Sequence, residues 1–416
     1  MIVIGCATRL HTKCAPGGAS PLIPEELTWL CSPPGIDATE QASSLLAAGA
    51  DELRVIDQLR KTHDPANARA AMALAVGRRT VASKFPDAEF LFCDRAAAEQ
   101  ASSEGVASQS AQRFAGAPCI ADLGCGMGGD ALALARHAHV VAVDLDPGRA
   151  AMTATNAAVR GLADRVELRV TSIEAFEPSE DGMLAWLDPD RRDSSGRVLD
   201  PERWSPRLSV AIQVARRFSG AGLKLAPGIE RELLPEDGEL EFVSLDGHMV
   251  EGLLWLGTLV RQRRQATVLA SDGGFASITG EPDAGDARIG EVGRYLLDPD
   301  PAVGRAQLIG SLAASIGAWQ LDSRIAYLNS DEPVATPFAR RFRVVESLPF
   351  SERQLLQRLR NLDASRIEVM RRGSPVDTNA LETRLGSQLH GARVFTVALT
   401  RVGGGSIAII CERERD

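Results

Sequence analysis

The chain has no apolar run approaching the ~20 residues that a helix needs to cross a bilayer, which sets aside the membrane-spanning helical classes. Its seven cysteines, at positions 6, 14, 31, 93, 119, 125 and 411, fall in no CxxC or CxxH spacing. Neither a disulfide framework nor a zinc site is expected, and free buried thiols are the default. The six histidines are dispersed. His137 and His139 stand two apart on an expected helix, hence on different faces, and no metal site is expected. Lysine is nearly missing, with four against 42 arginines, a bias of the whole chain that carries little functional weight by itself. The short apolar start, MIVIG, has no basic stretch before it and fails as a secretory signal. A cytoplasmic location is expected.

What is present is an ordinary globular composition, 44% apolar and 24% charged over 416 residues, enough for two or three domains at ~100–200 residues each. The net charge of −9 argues against a generic nucleic-acid binder until it is divided along the chain. Residues 336–416 hold 14 arginines and nine acids, a balance of +5, so residues 1–335 carry −14. The basic part is the carboxy-terminal fifth.

Residues 1–21 mix Gly, Pro and Ser without periodicity and read as a flexible extension. Residues 22–115 read as a helical region, with apolar positions recurring at three and four in 50–61 and 68–84 and a break at Asp64-Pro65. From 116 to 275, short apolar runs alternate with helical stretches. Strands are expected at CIADL (119–123), VVAVD (140–144), VELRV (166–170), LAWLD (184–188), GLKLA (222–226), LEFVSL (240–245) and ATVLA (266–270). This spacing predicts an α/β fold, a doubly wound, Rossmann-like and mostly parallel sheet. The Gly- and Asp-rich residues 276–289 read as a linker. Residues 290–416 read as a small α+β domain whose tail, from 341 onward, runs β-α-β-α-β-β.

The chemistry concentrates in Asp122-Leu-Gly124-Cys-Gly126-Met-Gly128-Gly129-Asp130, which follows an apolar strand and opens a helix. Glycines permit a tight turn and close backbone approach to a ligand, and the helix start offers unpaired N–H groups. At the end of the next strand Asp144 can accept from two ribose hydroxyls. Together these features imply a nucleoside cofactor. Gly124, Gly126 and Gly129 also satisfy G-x-G-x-x-G, so the glycines alone leave a dinucleotide open. Asp122 discriminates: an acid beside the loop suits a cationic amino group and repels a pyrophosphate.

DLGCGMGGD followed by VVAVD resembles motifs I and II of class I S-adenosylmethionine-dependent methyltransferases. LAWL-Asp188-Pro189-Asp190-Arg191-Arg192 stands where that family ends its fourth strand in Asp-Pro. The frame around these motifs, with GRYLLDPDPAVGRAQLIGSLA and the β-α-β-α-β-β tail, resembles a bacterial subgroup carrying a carboxy-terminal THUMP-like domain. The resemblance runs from about residue 25 to 416. It implies S-adenosyl-L-methionine as cofactor, with Asp122, Gly124, Gly126 and Gly128 along its methionine part and Asp144 at its ribose. Where the family often presents an Asp to the adenine amino group, this chain has Thr171-Ser172, and Ser172 is the expected contact.

Methyl transfer from a sulfonium needs little acid–base machinery, and positioning supplies most of the rate. The resemblance implies Asp188 as the group that accepts the nucleophile's hydrogen bond or proton. Arg191 and Arg192 depart from the Asp-Pro-Pro-aromatic form and favour an anionic substrate, although an ion pair with Asp193 or Glu202 is an equal alternative. Trp204 is the nearest stacking surface or a packing residue. Lys224, near the end of a buried strand, either has a carboxylate partner or faces the site, and Glu251 raises the same question. THUMP domains are associated with RNA, so the resemblance implies structured RNA, tRNA or rRNA, as substrate. Arg340, Arg341, Arg343, Arg371, Arg372, Arg393 and Arg401 are phosphate contacts if they share a face. Two other readings stay open: methylation of a small anionic metabolite or a protein, and a non-catalytic RNA-binding protein that keeps the cofactor as a structural ligand.

Overall fold

A computed structural model describes residues 22–193, 196–282 and 287–413; the extension expected at 1–21 lies outside the described residues. The chain divides into two compact units, 1–183 and 184–416.

The first unit opens with helices α1 (Pro24–Leu30), α2 (Pro33–Ala47), α3 (Glu52–Leu59), α4 (Pro65–Val81), α5 (Arg95–Gln100) and α6 (Glu104–Ala111). Their starts are written locally. Proline opens α1, α2 and α4 where no intrahelical N–H is needed. Asp51, Asp64 and Asp94 accept from backbone N–H groups of α3, α4 and α5. Next come β1 (Cys119–Leu123), α7 (Gly129–Leu134), β2 (His139–Asp144), α8 (Pro147–Val159) and β3 (Val166–Val170). The three strands pair in parallel, β1 with β2 and β2 with β3, as strand–helix–strand spacing requires. One core runs through the unit: Leu27, Leu30, Leu74 and Phe85 of the helical region cluster with Met127 of the glycine loop and Met152 of α8.

The second unit begins with β4 (Leu184–Leu187), α9 (Leu208–Ala215), β5 (Gly220–Leu225), β6 (Glu239–Leu245), β7 (His248–Gly257), β8 (Arg264–Leu269) and β9 (Phe275–Gly280). Its strands lie in the order β9-β8-β6-β7-β5-β4. β4 and β5 are parallel, as are β6 and β8, while β7 runs antiparallel to both β5 and β6. The mostly parallel expectation therefore gives way here to a mixed sheet. Its cause is a two-residue hairpin: Asp246 and Gly247 both take positive φ (49° and 78°) between β6 and β7, a type I′ turn whose Asp-Gly sequence favours it. Strand β9, paired antiparallel with β8, occupies the beginning of the stretch expected as a linker.

A further sheet holds β10 (Tyr295–Pro299), β11 (Ala339–Pro349), β12 (Ala364–Arg371), β13 (Arg393–Val402) and β14 (Gly405–Arg413), with β10 next to β11 and the rest following as β14-β13-β12. Helices α10 (Pro301–Arg305) and α11 (Ile309–Ile316) follow β10; α12 (Glu352–Asn361) and α13 (Thr378–Gly386) complete the β-α-β-α-β-β order. Leu355 and Leu359 of α12 and Leu381 and Leu385 of α13 close over Ile367, Val369, Phe395 and Val397. No described helix is long and apolar enough to cross a membrane.

Candidate functional site

In the first unit the loop from β1 to α7 is shaped by three left-handed glycines, with φ of 98° at Gly124, 58° at Gly126 and 91° at Gly128. Such angles suit glycine and strain other residues. The N–H groups of Gly124 and Cys125 both donate to the Val143 carbonyl, at 2.9 and 3.0 Å, which ties the loop to the end of β2. Open space surrounds the missing Cβ of Gly126, whereas a Cβ at Gly128 would lie 3.1 Å from the Thr153 side chain. The loop thus presents a bare backbone cradle on one side and packs against α8 on the other.

Asp144 braces this cradle. Its Oδ2 accepts from the Gly126 N–H at 3.0 Å and its Oδ1 from the Asp146 N–H at 2.9 Å. Each carboxylate oxygen keeps further acceptor capacity. Burial pushes the Asp144 carboxyl above the ordinary range, and the N–H donors of Asp146 and Gly126 partly offset that rise. Asp122 sits within β1, 1% exposed, beside Ala142 of β2. Ser172 follows β3, and its hydroxyl accepts from the Ala175 N–H at 3.2 Å, which leaves it a second lone pair for a further donor. The donor set, an acid in β1, an acid at the end of β2 and a glycine cradle between them, fits a ligand carrying an amino group and a ribose.

Two residues of α8 support the loop and were missed in the sequence. Thr153 Oγ1 donates to the Gly126 carbonyl at 3.1 Å. Asn156 Nδ2 donates to the carbonyls of Met127 and Phe92, at 2.8 and 2.9 Å, and its Oδ1 accepts from the Phe92 N–H at 2.7 Å. Nothing in AAMTATNAAV beyond three polar residues among alanines signals this. Cys125 is no nucleophile, since burial raises its thiol well above its usual value.

In the second unit Asp188 follows β4 directly, and Lys224 lies near the end of β5. Leu187 pairs with Leu223 and Lys224 with Leu253, so register brings Asp188, Lys224 and Glu251 to one face of the sheet. The ammonium stands 3.2 Å from Asp188 Oδ2 and 3.8 Å from Glu251 Oε1, and the Lys224 side chain is only 3% exposed. Of the alternatives raised for Lys224, a carboxylate partner is the one these contacts supply. Beneath it, Trp186 and Trp255 flank Gly222, their ring centroids 5.7 Å apart. A Cβ at Gly222 would lie 2.5 Å from the Trp255 ring and 2.7 Å from that of Trp186. Gly222→Ala is therefore expected to cost about 1–3 kcal/mol through overpacking, read as a lowered midpoint in denaturant unfolding.

Arg191 is partly buried, and its Nη1 has no hydrogen-bond partner among the described residues. Glu202, offered as its partner, accepts instead from the backbone N–H and hydroxyl of Ser209. Trp204 is buried and donates to the Val198 carbonyl, which makes it a packing residue.

The seven arginines of the carboxy-terminal sheet do not share one face. Alternation along β11 puts Arg340 opposite Arg341 and Arg343. Arg340 and Arg372 converge on Asp298, at 2.6 and 2.8 Å, while Arg343 and Arg393 converge on Glu412. Arg341 and Arg371 donate to the carbonyls of Val334 and Val376. Each acidic hub serves two arginines and so retains a net positive charge.

A methyltransferase domain model matches residues 120–187, a THUMP domain-like model matches 339–413, and a domain of unknown function matches 24–79. Uncharacterized S-adenosylmethionine-dependent methyltransferases of Mycobacterium tuberculosis, from strains CDC 1551 and H37Rv, are 35% identical over 339 residues, 79% of this chain and 90% of theirs. A release factor glutamine methyltransferase of Cereibacter sphaeroides is 32% identical over 34% of this chain and 52% of its own length. The crystal structure of a candidate methyltransferase from Porphyromonas gingivalis W83 shares the fold, with a TM-score of 0.72 at 20% identity over 91% of this chain and 98% of that one. With the glycine cradle, the two strand-end acids and a relative matched over most of both chains, this protein belongs to the S-adenosylmethionine-dependent methyltransferases.

Proposed function

We propose that the enzyme methylates structured RNA, tRNA or rRNA, with Asp122, Gly124, Gly126, Gly128, Asp144 and Ser172 holding the cofactor and Asp188 and Arg191 acting on the substrate. S-adenosylmethionine supplies an electrophilic methyl on a positively charged sulfur. The protein's share is to hold the nucleophile in line and accept its proton, a task suited to the Asp188 carboxylate.

The observation that carries the RNA reading is the THUMP domain-like match at 339–413, on the basic end of the chain. Its paired arginines support the reading. Guanidinium groups held in place by a shared carboxylate, with charge to spare, are ordered for phosphate contact. The buried Arg191 nitrogen, which has no acceptor among the described residues, suits an anionic oxygen. A protein substrate is the second reading, favoured by the likeness to the release factor glutamine methyltransferase.

Transfer of tritiated methyl from labelled cofactor to fractionated cellular RNA and protein tests both. Label in RNA is expected; label in protein with blank RNA fractions would overturn the RNA reading.

A pH dependence follows from Asp144. Its raised carboxyl is protonated at a higher pH than an ordinary aspartate, and a protonated carboxyl is a poorer acceptor for ribose hydroxyls. Cofactor affinity is therefore expected to fall, as pH is lowered, above the range of an unperturbed carboxylate. Titration calorimetry across the acid range checks it, with a flat and weaker profile for Asp144→Asn.

A further inference from the structure

The cluster at the ends of β4 and β5 says which kind of atom receives the methyl. Asp188 offers an acceptor and Lys224 a donor 3.2 Å apart, on the face of the sheet where Glu251 adds a second carboxylate. An amino or ring nitrogen attacks through its one lone pair, and an ammonium donor beside it competes for that pair. A hydroxyl has one proton and two lone pairs. It can donate to Asp188, accept from Lys224 and still attack.

We infer that the nucleophile is a hydroxyl oxygen and, on the RNA reading above, the ribose 2′-hydroxyl, with Lys224 a catalytic residue that orients it and stabilises the negative charge it develops. The 2′-hydroxyl is the group of RNA that both donates and accepts, and DNA lacks it. As the O–C bond forms, the bond from methyl to sulfur breaks and its electron pair stays on sulfur. The hydroxyl proton passes to Asp188. Two carboxylates and one ammonium carry a net charge of −1, so the cluster takes up that proton and becomes neutral. Glu251 has a separate task. Together with the indole of Trp186, whose ring centroid lies 5.6 Å from the ammonium, it helps to keep the buried Lys224 charged and fixed in place, because a lone buried cation is costly.

The test uses the full chain as wild type, Lys224→Met and Lys224→Arg. Methyl label transferred to cellular RNA is followed through alkaline hydrolysis, which cuts RNA by way of the free 2′-hydroxyl. Label in alkali-resistant dinucleotides is expected. Label in mononucleotides would overturn the hydroxyl assignment while leaving the RNA reading intact, and label in protein alone would overturn both. Lys224→Met is expected to lose transfer about 100-fold or more while binding S-adenosylhomocysteine within about twofold of wild type, with partial rescue in Lys224→Arg. Transfer retained by Lys224→Met would overturn the role of Lys224. A second readout needs no cofactor: binding of a random-sequence RNA oligonucleotide pool against the same pool made with 2′-deoxyribose. A hydrogen bond to a charged group is worth about tenfold in affinity. The wild type is expected to prefer RNA by about that factor and Lys224→Met to lose the preference; an unchanged preference would count against contact between Lys224 and the hydroxyl.

Discussion

Asp188→Asn is expected to lower methyl transfer by about 100-fold or more, the scale on which a positioned proton acceptor acts, with cofactor affinity unchanged. Asparagine keeps the shape and can still accept from Lys224, but its amide oxygen cannot take a proton. The variant therefore separates chemistry from architecture. Alanine does not, because it takes from the 3% exposed ammonium of Lys224 the acceptor oxygen as well as the charge. Removing a partner from a buried ion pair destabilises by about 3–5 kcal/mol at full burial, and by less here, where Asp188 is 26% exposed. Single-turnover transfer measured beside equilibrium binding of S-adenosylhomocysteine settles the case. Wild-type rates in Asp188→Asn would remove Asp188 from the reaction.

The second large effect is expected at Asp122. This carboxylate is 1% exposed within β1, where a cationic amino group is a strong partner. Asp122→Ala is expected to weaken cofactor binding by about 30-fold or more, the loss on deleting one member of a buried charge pair. Asp122→Asn, which keeps an acceptor but not the charge, should fall between. Isothermal titration with S-adenosylhomocysteine, which bears the same amino group, measures both. Unchanged affinity in Asp122→Ala would move the amino group elsewhere. The measurement also bears on the choice between nucleoside cofactors, since a pyrophosphate-bearing ligand should bind better once the acid is gone.

How much of this was legible in the amino-acid order depends on how local each feature is. The glycine loop, Asp144 and the Asp-Pro strand end are local: turn chemistry and a few residues on either side specify them, and the structure places them at strand ends as expected. The paired strands β1 to β3 were legible for the same reason, as apolar runs bounded by turns. Strand β7 was not, although Asp246-Gly247 announces the hairpin. HMVEGLLWLG is buried on both faces over most of its length, so it has no alternation, and a continuous apolar run reads equally well as helix. Without that strand Glu251, singled out in the sequence together with Lys224, could not be put beside it, because the pairing of β5 with β7 fixes its place. Lys224 itself advertised a need for a partner without saying which. The arginines show the reverse case: their number was visible, but their division between two acidic hubs on opposite faces depends on Asp298 and Glu412, which no spacing within β11 reveals.

The hydrogen bonds of Asn156 bear on how the protein can be cut. One amide holds both the backbone of Phe92, in the helical region, and that of Met127, in the glycine loop, and Met127 and Met152 share a core with α1 and α4. A fragment trimmed to begin at residue 116 would keep every residue proposed to touch the cofactor and still lack half of the mould in which the loop sets. Such a fragment should be poorly soluble, with the apolar side of α8 bared to water. The amino-terminal helices are in this sense a built-in scaffold, and any attempt to graft the catalytic part onto another substrate-binding domain would have to carry them along.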